Sequence, residues 1–118
     1  MLVRCVLSAA LACAAPAAVA HVHLEKSQPA ADGKSAEVRE IRLVFSEAVE
    51  SKLSTVQLQD REDRAVVEPA AERDPSDPKV LTVHLFEALP PGSYKVVWSV
   101  VAGDGHRMRG NYSFLVSR

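Results

Sequence analysis

The chain has 118 residues, with 14 Lys and Arg against 15 Asp and Glu, 4 His and 2 Cys. A formal charge of −1 excludes the strongly basic field that nucleic acid or an anionic membrane surface attracts. The length suits one ordinary domain and is too short for two.

In chain order, the first segment is built for export. Met1 to Arg4 is a short basic start, Val6 to Ala12 an apolar run and Ala18-Val19-Ala20 a small-residue cleavage site. Residues 1–20 therefore read as a cleaved signal peptide, cut between Ala20 and His21. A membrane anchor needs about 20 consecutive apolar residues, whereas Arg4, Ser8 and Pro16 interrupt this stretch. Cys13 offers lipoprotein processing as a minor alternative, since Ala10 stands three residues before it where a larger aliphatic is favoured. Cleavage leaves 13 basic against 15 acidic residues, a formal charge of −2, and removes both Cys5 and Cys13. Residues 21–118 then mature with no disulfide and no thiol, held by their core alone.

Period-two alternation runs through this second segment, and no stretch carries a long 3.6-residue apolar pattern. Ile41, Leu43 and Phe45 alternate with Arg42 and Val44; Val56 and Leu58 with Gln57 and Gln59; Leu81, Val83 and Leu85 with Thr82 and His84. Each reads as a strand with one face buried. Tyr94 to Val101 is richer in apolar residues on both faces, which predicts a central strand, and Tyr112, Phe114 and Val116 alternate in the last one. Asp32-Gly33, Asp74 to Pro78, Pro90-Pro91-Gly92 and Gly103-Asp104-Gly105 supply the breaks between them. Glu47 to Leu53 predicts a short helical turn, and the mixed charges from Asp60 to Asp77 a solvated hairpin and loop. About seven short strands so spaced predict an all-β fold, a single Greek-key sandwich.

The histidines carry the chemistry. His21 and His23 open the mature chain, His106 follows Gly103-Asp104-Gly105, and His84 lies within a strand. A free N-terminal histidine closes a six-membered chelate ring through its α-amine and Nδ1, and an α-amine titrates near about 8, so it yields its proton readily to a metal. Two further nitrogen or oxygen ligands complete the tetragonal plane that suits Cu(II). Asp104 and His106 are the natural suppliers: residues i and i+2 of an extended segment share a side, and Gly105 lets the backbone bend between them. An Asp-Gly-His run by itself is more often a turn, and it gains weight here from the cut before His21.

His23 permits a rival site, because a free amine, two backbone amides and a third-position imidazole also make a square plane for Cu(II) or Ni(II). The two sites compete for one amine. A strand beginning at Leu24 would commit the His23 amide and disfavour the rival; a place beside the metal without ligation is the plainer role for His23. His84 reads as a surface strand residue, Trp98 as a core aromatic and Met108 as a packing residue. With Met108 the only mature sulfur, no thioether cluster for Cu(I) can be built.

These residues resemble the CopC-type (CopC/YobA-like) periplasmic copper-binding proteins. The resemblance rests on His21-Val22-His23-Leu24 with Ser27-Gln28-Pro29-Ala30, on Ile41 through Glu50, on Leu89-Pro90-Pro91-Gly92-Ser93-Tyr94, and on Val96 through Phe114 with Trp98, Asp104-Gly105-His106 and Gly110. It implies an immunoglobulin-like (cupredoxin-like) Greek-key barrel that binds one Cu(II) through His21, Asp104 and His106, with His23 as an additional candidate. It also implies a periplasmic role in copper resistance or homeostasis beside a separate membrane partner of the CopD type. Family members with a methionine-rich Cu(I) loop differ from this chain, which lacks those sulfurs.

Three functions follow for comparison. The first is a monomeric copper carrier or scavenger without enzymatic activity. The second is a copper oxidase or monooxygenase built on an N-terminal histidine, disfavoured by a carboxylate in the metal plane and by only 6 aromatic Phe, Trp and Tyr residues, most on predicted core faces. The third is a metal-free structural β-sandwich module.

Overall fold

In the computed structural model, which describes Ala12 and residues 21–118, the alternating segments become strands of two four-stranded sheets, all but the one over Val56 and Leu58 in central places. The predicted signal segment, its cleavage site and both cysteines lie outside the described residues. Eight strands are present among them: β1 (Leu24–Gln28), β2 (Lys34–Ser35), β3 (Glu40–Phe45), β4 (Thr55–Gln59), β5 (Glu72–Asp74), β6 (Asp77–His84), β7 (Gly92–Val101) and β8 (Arg107–Val116). One sheet runs β1-β3-β6-β5 and the other β2-β8-β7-β4. Every pairing is antiparallel except β2 with β8. Hairpins join β5 to β6 and β7 to β8, and the remaining connections cross between the sheets, as the sandwich reading requires.

The period of two explains which side chains fill the space between the sheets. Ile41, Leu43 and Phe45 of β3, Leu81 and Val83 of β6, Val56 and Leu58 of β4, and Val96, Trp98 and Val100 of β7 all enter one core cluster. Each such aliphatic contributes about 1.5–3 kcal/mol on burial. Trp98 meets Phe45 edge-on at 5.3 Å between ring centres. Its indole also lies against Gly110, its register partner on β8, where an added Cβ would collide with the ring. Gly110 is thus a glycine for space. Tyr94 stacks on Phe114 at 5.6 Å and donates its hydroxyl to the Pro90 carbonyl at 2.7 Å, which ties the turn before β7 to the core. Tyr112 has no such partner: its hydroxyl is buried without a hydrogen bond, and burial pushes the phenol up to about 12, the nearby Ser27 offsetting this only in part.

The structure departs from expectation in two short strands. Glu72–Asp74, expected to be loop, forms the edge strand β5, and its turn is closed by Asp74, which accepts from Ser76 Oγ at 2.7 Å and Ser76 N at 2.8 Å. Those bonds hold the Asp74 carboxyl below its usual range. Lys34–Ser35 forms β2, two residues long. Of the helical turn expected over Glu47 to Leu53, only a 3-10 turn at Ser51–Leu53 exists. Among the described residues no helix is long and apolar enough to cross a membrane.

Candidate metal centre

Three pieces of backbone converge at one end of the sandwich: the residues from His21 to β1, the stretch after β3 and the loop between β7 and β8. The register Leu24↔Phe45 continues outward as a main-chain bond from Ser46 N to the His23 carbonyl at 2.9 Å, so the first residues follow the end of β3. Val49 bridges Ala102, and Glu50 N donates to the Val101 carbonyl at 2.8 Å. Ser54, buried beside the 3-10 turn, accepts from Val101 N through Oγ at 3.1 Å. These contacts brace the base of the β7–β8 loop from the side.

The loop itself is a three-residue hairpin turn, Gly103-Asp104-Gly105. Gly105 N donates to the Ala102 carbonyl at 2.9 Å and Ala102 N to the His106 carbonyl at 3.2 Å, with Gly105 at φ +82°. That left-handed position after a tight turn is where glycine carries no steric cost. Asp104 Oδ1 accepts from His106 N at 2.9 Å, and Oδ2 stands 3.2 Å from His106 Nδ1. The carboxylate therefore fixes both the backbone and the ring of His106 and leaves Nε2 as its uncommitted nitrogen, an arrangement that orients metal-binding imidazoles generally.

His21 meets this pair from across the sequence. The His21 and His106 ring centres are 5.8 Å apart with planes inclined at 51°. An imidazole nitrogen bonds a transition metal at about 2.0 Å, so two rings on one ion have centres about 4.5 to 6 Å apart, depending on the angle between them. The observed separation falls in that span. Both histidines and Asp104 are exposed. The residue between the first two histidines is not: Val22 is 2% exposed and belongs to the core cluster, which anchors His21 at the rim.

Of the sequence-predicted residues, the structure thus brings together His21, Asp104 and His106. Among the described residues no three His, Cys, Asp or Glu side chains stand grouped as a ready-made cage for an ion. The three form two contacts that share His106, and the α-amine, a donor in the sequence reading, is here the amide of the Ala20–His21 peptide bond. His23 is exposed, and its amide is committed as expected, though to a side chain rather than a ladder: His23 N donates to Ser46 Oγ at 3.0 Å. Ser46 was not singled out by sequence; the signal that marks it is its place, next to Phe45 and opposite His23 once the β1–β3 register is drawn. His84 lies at the far end of β6, exposed, with Nδ1 3.6 Å from Glu40 Oε2 of β3. Met108 is partly buried against the core, as a packing residue would be.

Residues 24–117 match the family model described as the CopC domain. The chain is 38% identical over 102 residues to Protein YobA of Escherichia coli strain K12, covering 86% of this chain and 82% of that one. Among solved structures it is similar to CopC from Methylosinus trichosporium OB3b, with a TM-score of 0.76, 33% identity, and coverage of 82% of this chain and 94% of that chain. It is similar also to PcoC, described as a methionine-rich copper resistance protein from Escherichia coli, with a TM-score of 0.75, 34% identity, and coverage of 83% and 100%.

Proposed function

Because this chain belongs to the CopC family, we propose that it is a periplasmic Cu(II) carrier or scavenger, processed at Ala20–His21 and holding one ion through His21, Asp104 and His106. Copper is its cargo, and it performs no reaction on it. The observation that carries this reading is the meeting of His21 with His106, whose ring centres lie 5.8 Å apart although the two stand 85 positions apart in sequence.

Cleavage supplies the missing donor. Once Ala20 is removed, the α-amine and the His21 imidazole form one chelate ring, His106 offers an imidazole nitrogen, and Asp104 offers Oδ2, which must turn from His106 Nδ1 to reach the same ion. Three nitrogens and a carboxylate oxygen are a donor set that favours Cu(II) in a tetragonal plane. The mature segment, residues 21–118, has Met108 as its single sulfur residue, so the methionine-rich character in PcoC's description has no counterpart here. The site we propose is therefore for oxidised copper alone. In this reading the protein is a monomer that exchanges its ion with a separate CopD-type inner-membrane transporter.

Electron paramagnetic resonance of the Cu(II) form, with the mature N-terminal mass confirmed, tests the site. The spectrum should show three nitrogen donors, and a protein carrying one extra residue before His21 should lose the amine and tight binding together. Unchanged affinity in the extended protein would rule out the chelate.

A further inference from the structure

A chain that opens at His21 holds the donors of two different copper sites. Besides the ring at His21, the α-amine, the Val22 and His23 amide nitrogens and the His23 imidazole can wrap one ion in a four-nitrogen plane, a geometry that suits Ni(II) as well as Cu(II). Wrapping requires the first three residues to leave the surface, because both amide nitrogens must turn to the same ion.

The structure opposes this at three adjacent points. Val22 is buried to 2% exposure in the core cluster. Both main-chain groups of His23 are held by one residue, its N–H donating to Ser46 Oγ at 3.0 Å and its carbonyl accepting from Ser46 N at 2.9 Å. Leu24 then enters β1 opposite Phe45. An amide nitrogen engaged as a donor and a neighbour seated in the core cannot both be recruited without breaking those contacts.

We propose that Ser46, acting with Val22, determines which site forms: the pair locks the backbone of residues 21–23, denies the ion the Val22 and His23 amides, and leaves the amine for the ring with His21 beside Asp104 and His106. Ser46 is a positioning residue in this scheme and touches no metal. The consequence is selectivity, since Ni(II) depends on the amide plane for tight binding and is turned away, while Cu(II) is kept by amine, imidazoles and carboxylate. The inference rests on the reading that the mature chain opens at His21 and binds Cu(II) there.

The test uses the mature protein, mass-verified to begin at His21, titrated with Ni(II) and followed by the yellow absorption of square-planar Ni(II). Ser46→Ala should bind Ni(II) about five- to tenfold more tightly than the unaltered protein, the effect of one lost hydrogen bond, and its Cu(II) d–d band should move to shorter wavelength. Ser46→Thr, which keeps a hydroxyl, should behave as the unaltered protein. Adding His23→Ala to Ser46→Ala should cancel the gain. Should Ser46→Ala not fold, Val22→Ala loosens the same segment and should show the same Ni(II) gain. Equal Ni(II) affinity in the loosened and unaltered proteins, or a gain that survives loss of His23, overturns the proposal. Failure of the underlying reading is seen separately, as Cu(II) binding by the unaltered protein that ignores His106→Ala.

Discussion

The body of the β7–β8 hairpin and its tip are held by different forces. In the body, register pairs run without a break from Gly92↔Val116 to Val101↔Arg107, and Val96, Val100, Phe114 and Val116 are buried. Its stability is spread over many non-directional contacts, none decisive alone. At the tip, Asp104 and His106 are exposed, and their geometry depends on a few short polar bonds and on Gly105 at φ +82°. Each such bond contributes only about 1 kcal/mol to folding. Fold and site are therefore separable: the tip can lose its chemistry while the body stays intact, and the body can be weakened while the tip keeps its shape.

Four measurements probe that separation. The largest effect is expected from His106→Ala, which should weaken Cu(II) binding more than about 100-fold in a competition titration, beyond what loss of a supporting contact costs, with the thermal midpoint unmoved. A large fall in midpoint would show that the tip supports the body after all. Gly110→Ala is the converse, since its Cβ would strike the Trp98 indole. It should cost about 1–3 kcal/mol by overpacking and lower the midpoint, while Cu(II) affinity measured below the transition stays within twofold, on the order of the noise in such comparisons.

Asp104→Asn is a finer probe of the tip. The amide keeps an oxygen to accept from His106 N but loses the charge, so affinity should fall about tenfold and circular dichroism should not change; an unaltered affinity would assign Asp104 to turn closure alone. The smallest effect belongs to Tyr112. Its folded pKa of about 12 lies above the usual phenol value, so the stability linked to its proton is intact below pH about 10 and is lost as pH rises toward 12. Tyr112→Phe should flatten urea midpoints across that alkaline window and gain about 1 kcal/mol at neutral pH by removing an unpartnered hydroxyl. A steeper alkaline loss in the variant would refute the assignment.

The strands of the sandwich were legible because each apolar residue reports its own side by its spacing: Ile41, Leu43 and Phe45 are all buried as their alternation requires. Thr82 and Val80 broke the pattern. They share the opposite face of β6 from Leu81 and Val83 yet are buried, Thr82 lying in register between Arg42 and Glu72. Long charged side chains can cover small neighbours, and single-residue alternation does not encode that. Strand β5 escaped for a related reason, since Glu72 and Arg73 have no apolar signature and pair only because β6 offers an edge. At the site, the residue types and the cut before His21 pointed to His21, Asp104 and His106; the structure sets the His21 ring near that of His106 and Asp104 against His106, as two separate contacts. What spacing could not supply was the partner of His23, because Ser46 is placed there by strand register and hydroxyls are common.

Val22 has a consequence for the cell that delivers this protein. Its side chain is seated in the core while Ala20 still precedes His21, so folding would not proofread the cut proposed at Ala20. A molecule trimmed one residue early should be as compact, soluble and protease-resistant as the correct one and still be blind to copper. Quality control that senses misfolding would pass it, and the fidelity of the exporting peptidase, rather than the amount of folded protein, would then set how much copper the compartment can hold.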